Sequence, residues 1–226
     1  KAYLLKRGLS EETIKDWQVG YGPERWTAML EYLHSRQFSE KEIFAAGLAG
    51  RSERGSAYDR FRDRIVFPIR DVSGALIAFT ARVNPDKADT VPGGKYINSP
   101  QTEVYDKSRV LFALDKAKKA IKERGFAIVV EGQMDAIACH QHGFTNTVAS
   151  SGTALTVEQL KLLKRFSNNL ILSFDMDNAG QLAADRGIKE AMSLDMNIKI
   201  IVLPSQYKDP DECLRANPDD FKRALI

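Results

Sequence analysis

Short apolar segments alternate with helical segments through the second half of the chain, and this alternation constrains the fold more than any other feature. Residues 126–130 and 170–174 are almost entirely apolar, and residues 145–149 and 198–203 form two further strand-like runs. Stretches with helical spacing of apolar residues separate these runs. Buried strands that alternate with helices are typical of a parallel sheet covered by helices on both faces. We therefore predict an α/β unit in this half.

The first half follows a different pattern, with short helices and then β-rich runs. Ser10 and Ser39 each precede a helical stretch as N-cap residues. The runs 65–70 and 75–79 are separated by Asp-Val-Ser-Gly, which predicts a β-hairpin. We expect residues 51–59 to form a polar loop, and residues 83–100, which are rich in Pro and Gly, to be mostly loop. The predicted class is α/β, a mixed α+β amino-terminal subdomain followed by a parallel-sheet subdomain.

Composition excludes several classes of protein. The 226 residues are 43% hydrophobic and 28% charged, which fits a globular protein. No apolar run approaches the ~18 residues of a membrane span, and no leader sequence is recognised at the start. Cys139 and Cys213 are too few for a disulfide framework and have no partners at zinc-ligand spacing. We expect a cytoplasmic protein, in a reducing compartment, without zinc in this fragment.

Charge is divided unevenly along the chain. Residues 60–124 carry fourteen basic and eight acidic side chains, whereas residues 125–226 carry ten basic and thirteen acidic ones. A basic segment followed by an acidic one fits a polyanion-binding surface near a cation site. A chance fluctuation on a solvated surface explains the charge pattern equally well.

Acidic residues follow three of the predicted strands. Glu131 follows the first strand, Asp175 and Asp177 follow the third, and Asp209 and Asp211 follow the fourth. Sites in parallel sheets form at the carboxyl ends of the strands, so these side chains are expected to meet at one edge. Carboxylates that are packed together repel one another unless cations neutralise them, and oxygen ligands favour Mg²⁺ or Mn²⁺. The pattern predicts a metal site suited to phosphoryl or nucleotidyl transfer.

Two alternatives apply at this edge. Acidic residues also follow strands simply because loops are polar. Asp135, near the start of the next predicted helix, either complements the helix dipole or joins the site. Gly132 would allow a phosphate or a metal-bound water to approach the backbone closely.

Two motifs of the second half resemble the TOPRIM module shared by bacterial-type primases, topoisomerases and some nucleases. They are Glu131-Gly132-Gln133-Met134-Asp135 and Asp175-Met176-Asp177-Asn178-Ala179-Gly180. Residues 59–69, 79–82 and 95–100 are similar to the RNA polymerase domain of the bacterial DnaG-type primase family, and residues 208–211 resemble its final acidic motif. The resemblance spans most of the chain. It implies a DNA-directed RNA polymerase that synthesises short RNA primers on single-stranded DNA by metal-dependent nucleotidyl transfer.

The resemblance also implies roles and boundaries. Glu131, Asp175 and Asp177 would be catalytic, with Glu131 as the base for the priming hydroxyl. Mg²⁺ or Mn²⁺ would be the cofactor. The boundaries would be 1–115 for the amino-terminal basic subdomain, 116–206 for the TOPRIM subdomain and 207–226 for the start of a helical segment. The metal ligands would be Glu131, Asp175, Asp177, Asp209 and Asp211. The nucleotide or DNA contacts would be Arg60, Arg62, Arg82, Lys95, Tyr96, Asn98 and Lys107.

The implied partners are a single-stranded DNA template, ribonucleoside triphosphates, the RNA primer and a replicative helicase, which would bind through a domain not recognised in this sequence. We expect a monomeric core that acts in the cytoplasm, at the replication fork. Alternation of Arg60, Arg62 and Arg64 places them on one strand face, either along a DNA path or simply in solvent. Tyr96 could stack on a base or pack at a strand edge.

The chain departs from the family pattern at a few positions. Thr80, Ala81 and Met176 stand where family members usually have glycine, Gln133 stands where Tyr is common, and Gln101 where Glu is common. The acidic side chains of the motifs are all retained. Two other functions stay open, a non-catalytic TOPRIM nucleic-acid-binding module and a phosphohydrolase that uses its Asp-x-Asp motif. A nuclease or topoisomerase is less favoured, because no Tyr-bearing cleavage domain is recognised.

Overall fold

The computed structural model describes residues 1–84, 94–151, 154–174 and 187–226, which form two compact units. The parallel-sheet unit comprises Lys1–Thr13, Arg70–Ala75 and Lys107–Ile226, and the antiparallel-sheet unit comprises Ile14–Ile69 and Leu76–Asp106. Both units are therefore discontinuous in sequence, whereas the predicted subdomain boundaries are continuous and stay a prediction.

Helices and strands alternate in the parallel-sheet unit and cluster by type in the antiparallel-sheet unit. The helices of the described ranges are α1 (Ala2–Lys6), α2 (Glu11–Asp16), α3 (Ala28–Ser35), α4 (Glu40–Ala45), α5 (Leu114–Arg124), α6 (Gln133–Gln141), α7 (Val157–Lys164), α8 (187–193), α9 (Pro210–Ala216) and α10 (Pro218–Leu225). The strands are β1 (Gly20–Gly22), β2 (Ala49–Arg51), β3 (Ala57–Asp59), β4 (Arg64–Arg70), β5 (Leu76–Val83), β6 (Tyr96–Asn98), β7 (Ala127–Val130), β8 (Thr147–Ala149), β9 (Asn169–Ser173) and β10 (Asn197–Ile200).

The sheet of the parallel-sheet unit has the strand order β10-β9-β7-β8, and every pair in it is parallel. All four residues of β7 are buried, and β7 and β9 pack with α5, α7 and α8 in one hydrophobic core. The predicted fold class is confirmed. The edge strand β10 differs from the expectation of apolar strands covered on both faces, since Ile200 is 52% exposed. An edge strand has a sheet neighbour on one side only, so less of it is covered.

The sheet of the antiparallel-sheet unit has the order β1-β4-β5-β6. The predicted hairpin joins β4 to β5, and the N–H of Asp71 donates to the carbonyl of Ala75 across its turn at 2.9 Å. One loop prediction needs correction, because residues 51–59 contain β3, which pairs with β2 in a small hairpin. Residues 83–100, predicted to be mostly loop, include the short strand β6, which pairs with β5. Strands of three residues are too short to leave a period-2 pattern of apolar residues.

Local sequence signals set the helix starts. Ser39 and Thr156 each form a capping box, in which the side chain accepts from the third helical N–H and that residue's side chain accepts from the cap N–H. The hydroxyl of Ser10 accepts from the N–H of Thr13 at 3.0 Å. The caps predicted at Ser10 and Ser39 are confirmed. No helix in the described ranges is long and apolar enough to cross a membrane.

Candidate functional site

The first acidic residue lies where the central strand β7 ends. Glu131 follows Val130 directly, is half-buried, and accepts through its carbonyl the N–H of Ser151 at 3.0 Å. The N–H of Gly132 donates to Oδ2 of Asp135 at 3.1 Å. A Cβ on Gly132 would lie 2.6 Å from that same oxygen. A side chain at position 132 would therefore have to displace the Asp135 carboxylate from this backbone N–H.

The last acidic motif forms the amino terminus of α9. Oδ1 of Asp209 caps this helix by accepting the N–H of Glu212 at 2.7 Å, and Pro210 occupies the first turn. The N–H of Asp211 donates to Oδ1 of Asp135 at 3.1 Å. Asp135 is 8% exposed, and its two oxygens therefore accept from Gly132 and Asp211, which belong to two different acidic segments.

Asp211 has cationic partners as well. Its carboxylate, which is 1% exposed, pairs with the guanidinium of Arg7, the C-cap residue of α1, and Nε of Arg215 lies 3.4 Å from Oδ1. Burial opposes the charge of Arg7, but the hydrogen bond and charge of Asp211 outweigh it and raise the pKa of Arg7. We refer to Glu131, Gly132, Asp135, Asp209 and Asp211 as the acidic edge.

The remaining predicted metal ligands, Asp175 and Asp177, lie outside the described residues. Strand β9, which precedes them in sequence, ends at Ser173, and Ser173 is the sheet partner of Val130, the residue before Glu131. The hydroxyl of Ser173 is buried and has no hydrogen-bond partner among the described residues. Within the described ranges, no group of three or more His, Cys, Asp or Glu side chains could hold a metal ion. The carboxylates of the acidic edge alone therefore do not make a metal centre.

The predicted nucleic-acid contacts of the antiparallel-sheet unit lie on and beside β5 and β6. Nη1 of Arg82 donates to the hydroxyl of Tyr96 at 3.1 Å, and the guanidinium lies 5.5 Å from the centre of that ring. Nε of Arg60 donates to the carbonyl of Asn98 at 3.1 Å. Lys95 is exposed. The pairing of β5 with β6 and the contact of Arg60 with Asn98 bring four of these residues together.

The expectation that Arg60, Arg62 and Arg64 share one strand face is wrong. Asp63 has a φ of 49°, which interrupts the extended backbone, and β4 begins only at Arg64. Arg64 is 2% exposed and donates to the carbonyl of Gly94 at 3.1 Å. Its burial lowers its pKa, and the charge of Arg62 lowers it further. Arg64 is thus a core residue.

Arg62 belongs to a cluster of stacked side chains that the sequence motifs did not indicate. Its guanidinium lies 4.0 Å from the ring centre of Trp26 and 4.8 Å from that of Tyr58, and the two rings meet edge to face. Trp26 is 63% exposed. We call Trp26, Tyr58 and Arg62 the aromatic–arginine cluster. A tryptophan next to Glu-Arg in a polar stretch was the available signal, because exposed tryptophans are uncommon outside binding surfaces.

Lys107, the last predicted contact, lies in the parallel-sheet unit on a short 3₁₀ turn (Lys107–Arg109). The side chain of Gln159 donates to the carbonyls of Lys107 and Val110, at 3.2 and 2.8 Å, and so fixes this turn to the start of α7. Burial lowers the pKa of the Lys107 ammonium.

Comparison with known proteins assigns the family. The parallel-sheet unit defines a Toprim-like protein, since residues 128–214 match the Toprim-like family model. Residues 1–118 match the model of the DNA primase catalytic core, N-terminal domain. The chain belongs to the DNA primase catalytic core family, as the resemblance of its motifs implied.

Individual relatives agree with this assignment. The DNA primase of Deinococcus radiodurans is 42% identical over 219 residues, which are 96% of this chain and 37% of that protein. A DNA primase domain from Pseudomonas aeruginosa is 36% identical with a TM-score of 0.87, and the match covers 99% of this chain and 70% of that one. A DnaG primase catalytic domain solved with single-stranded DNA is 35% identical with a TM-score of 0.87, covering 99% and 69%. The chain thus spans little more than a third of the length of the first relative.

Proposed function

We propose that this chain is the catalytic core of a primase, which synthesises short RNA primers on single-stranded DNA by metal-dependent nucleotidyl transfer. The observation that supports it most is the meeting of two acidic segments at Asp135, one at the end of β7 and one at the start of α9. Membership of the DNA primase catalytic core family and the Toprim-like match over residues 128–214 support this proposal.

The donor set fits a hard divalent cation. The candidate ligands Glu131, Asp175, Asp177 and Asp209 offer oxygen alone, which favours Mg²⁺ or Mn²⁺ over zinc. The hydroxyl of Ser173, which has no hydrogen-bond partner among the residues that the structure describes, lies at the end of β9 and adds a polar atom to the same edge of the sheet. Asp211 completes the carboxylate set, with its charge already balanced in part by Arg7 and Arg215. Such an ion, when bound, would polarise the reacting phosphate.

The transfer step assigns roles to side chains of this chain. The 3′-hydroxyl of a ribonucleotide attacks the α-phosphate of the next ribonucleoside triphosphate; a phosphodiester bond forms, the bond to the β-phosphate breaks, and pyrophosphate leaves. Glu131 accepts the proton of the attacking hydroxyl. The half-buried position of Glu131 at the strand end keeps it within reach of solvent and substrate.

Template binding is assigned to the cationic residues of the antiparallel-sheet unit. A relative of the same fold has been solved with single-stranded DNA. Arginine and lysine neutralise phosphates, and exposed rings stack on bases. We assign these roles to Arg60, Arg62, Arg82, Lys95, Tyr96 and Asn98, with Lys107 as a nucleotide contact. A replicative helicase would contact other parts of such a protein, and its place of action would be the replication fork.

The test is ribonucleotide polymerisation on single-stranded DNA with Mg²⁺ or Mn²⁺, comparing the native chain with Asp175→Asn. The control is Asp195→Asn, because Asp195 is exposed and has a φ of 52°, which asparagine tolerates well. We expect activity in the native chain and the control, and its loss in Asp175→Asn.

Other outcomes separate the alternatives. Full activity of Asp175→Asn would contradict the metal assignment. Template binding without dinucleotide formation under either metal would favour the non-catalytic binding module. Trapping of a phosphoenzyme on Asp175 would favour the phosphohydrolase.

A further inference from the structure

The side chain of Asp135 holds together the two described segments of the acidic edge. Its Oδ2 accepts the N–H of Gly132, and its Oδ1 accepts the N–H of Asp211, both at 3.1 Å. The first donor directly follows Glu131, and the second lies two residues after Asp209. Residues 132 and 211 are far apart in sequence, so this contact fixes a relation that no local signal sets.

The geometry points to Asp135 as a positioning residue of the metal centre, not as a ligand of it. Both carboxylate oxygens are engaged by backbone N–H groups, and the side chain is 8% exposed, which leaves little of it for an ion. By fixing the backbone on either side, it sets where the carboxylates of Glu131 and Asp209 can point. This inference rests on the proposed function, because it assumes that these two carboxylates bind a divalent ion.

Two neighbours show that the structure is built around this contact. Gly132 carries no Cβ, and one would lie 2.6 Å from Oδ2 of Asp135. Arg7 pairs with the carboxylate of Asp211 and so holds the start of α9 independently of Asp135, while Arg215 of the same helix lies beside that carboxylate. Loss of the two hydrogen bonds of Asp135 should therefore free the backbone at Gly132 more than the backbone at the start of α9.

The informative substitution is Asp135→Asn, which preserves size. An asparagine has one acceptor oxygen, and its NH₂ group would face the second N–H as donor against donor. The matched control is Glu158→Gln, which removes an exposed acidic charge from the first turn of α7 and so reproduces any loss from the helix dipole.

Two measurements on the full chain test the inference. Amide hydrogen exchange followed by NMR should show the N–H groups of Gly132 and Asp211 protected in the native chain, and Gly132 exchanging faster in Asp135→Asn. Mn²⁺ titration followed by electron paramagnetic resonance should show the dissociation constant raised by about tenfold or more in Asp135→Asn. Glu158→Gln should stay within about twofold of the native chain in both measurements.

The outcomes separate this inference from the proposed function. Unprotected amides at Gly132 and Asp211 in the native chain would contradict the two hydrogen bonds of Asp135, whatever the activity. If Asp135→Asn folds and binds Mn²⁺ with native affinity, Asp135 has a structural role and does not position the metal centre. The positioning role is likewise overturned if the native chain does not bind Mn²⁺. If Asp135→Asn binds Mn²⁺ more weakly than the native chain does, but the native chain makes no primer, the result would support the inference and contradict the proposed function.

Discussion

The acidic edge and the aromatic–arginine cluster hold their charges in different ways. Asp135 and Asp211 of the acidic edge are buried, and their oxygens are fixed by backbone N–H groups or by arginines. In the aromatic–arginine cluster, Arg62 instead lies on the faces of Trp26 and Tyr58 near the surface. A backbone that is fixed beside the candidate ligands suits an ion with strict ligand geometry, whereas a stacked guanidinium suits a chain of phosphates and bases.

The largest effect that separates the two regions is expected for Glu131→Gln. The amide cannot accept the proton of the priming hydroxyl and is a weaker metal ligand, so polymerisation should fall by about 10³-fold. Affinity for single-stranded DNA should stay within about twofold, because replacing this carboxylate by a neutral amide neither adds nor removes a phosphate contact. Primer synthesis and fluorescence anisotropy with labelled DNA measure the two quantities. Loss of DNA binding with retained synthesis would reverse the roles assigned to the two regions.

The next effect concerns stability at the acidic edge. Arg7→Gln leaves the buried carboxylate of Asp211 with Arg215 alone, whose Nε lies 3.4 Å away. Removing one partner of a buried ion pair costs about 3 kcal/mol, at the low end of the usual range because Arg215 remains. Urea unfolding measures this free energy. Lys6→Gln, an exposed cation on the same helix, is the control and should change it by less than about 0.5 kcal/mol. Equal effects of the two substitutions would contradict the pairing of Arg7 with Asp211.

A smaller effect is expected in the aromatic–arginine cluster. Arg62→Met keeps an apolar side chain against the rings but removes a phosphate-binding charge. Affinity for single-stranded DNA should fall roughly fivefold, and the slope of log K against log salt should shrink by about one. Arg51→Met is the control, since Arg51 also lies over a ring, that of Phe44, but pairs with Glu40. If both variants bind DNA equally well, the cluster is a structural feature.

The smallest effect is expected for Tyr96→Phe. The ring that Arg82 overlies is kept, and only the hydroxyl that accepts its hydrogen bond at 3.1 Å is lost. The free energy of unfolding should fall by about 0.5–1 kcal/mol, the net value of one such bond. Thermal unfolding measures it, with Tyr32→Phe at another ring beside an arginine as the control. A loss several times larger would mean that this hydroxyl belongs to a more extensive buried network.

The difference between local signals and long-range contacts explains which features the sequence could predict. The strands β7 and β9 and the helix caps at Ser10 and Ser39 follow from local apolar runs and local hydrogen bonds, and they are confirmed. The position of Glu131 just past β7 follows from the same local signals. Asp209, which was predicted to follow the fourth strand, instead caps α9, well after β10 ends at Ile200. The primase family assignment came from motifs and is also confirmed.

Contacts between distant residues could not be predicted in the same way. Nothing in the spacing of Arg7 and Asp211, or of Asp135 and Asp211, indicates that they meet. Arg64 is buried next to the left-handed backbone of Asp63, and the alternation of arginines in the sequence gives no sign of that backbone conformation. The stacking of Trp26 on Arg62 likewise joins a segment before α3 to one after β3.

The account depends on a divalent ion bound at the carboxyl ends of β7 and β9. Crystals soaked in Mn²⁺ and measured at the manganese absorption edge test this directly. We predict an anomalous peak within about 2.0–2.6 Å of carboxylate oxygens of Glu131 and of Asp175 or Asp177. A fully soaked crystal without a peak there, or with manganese bound only at surface carboxylates elsewhere, would contradict the account.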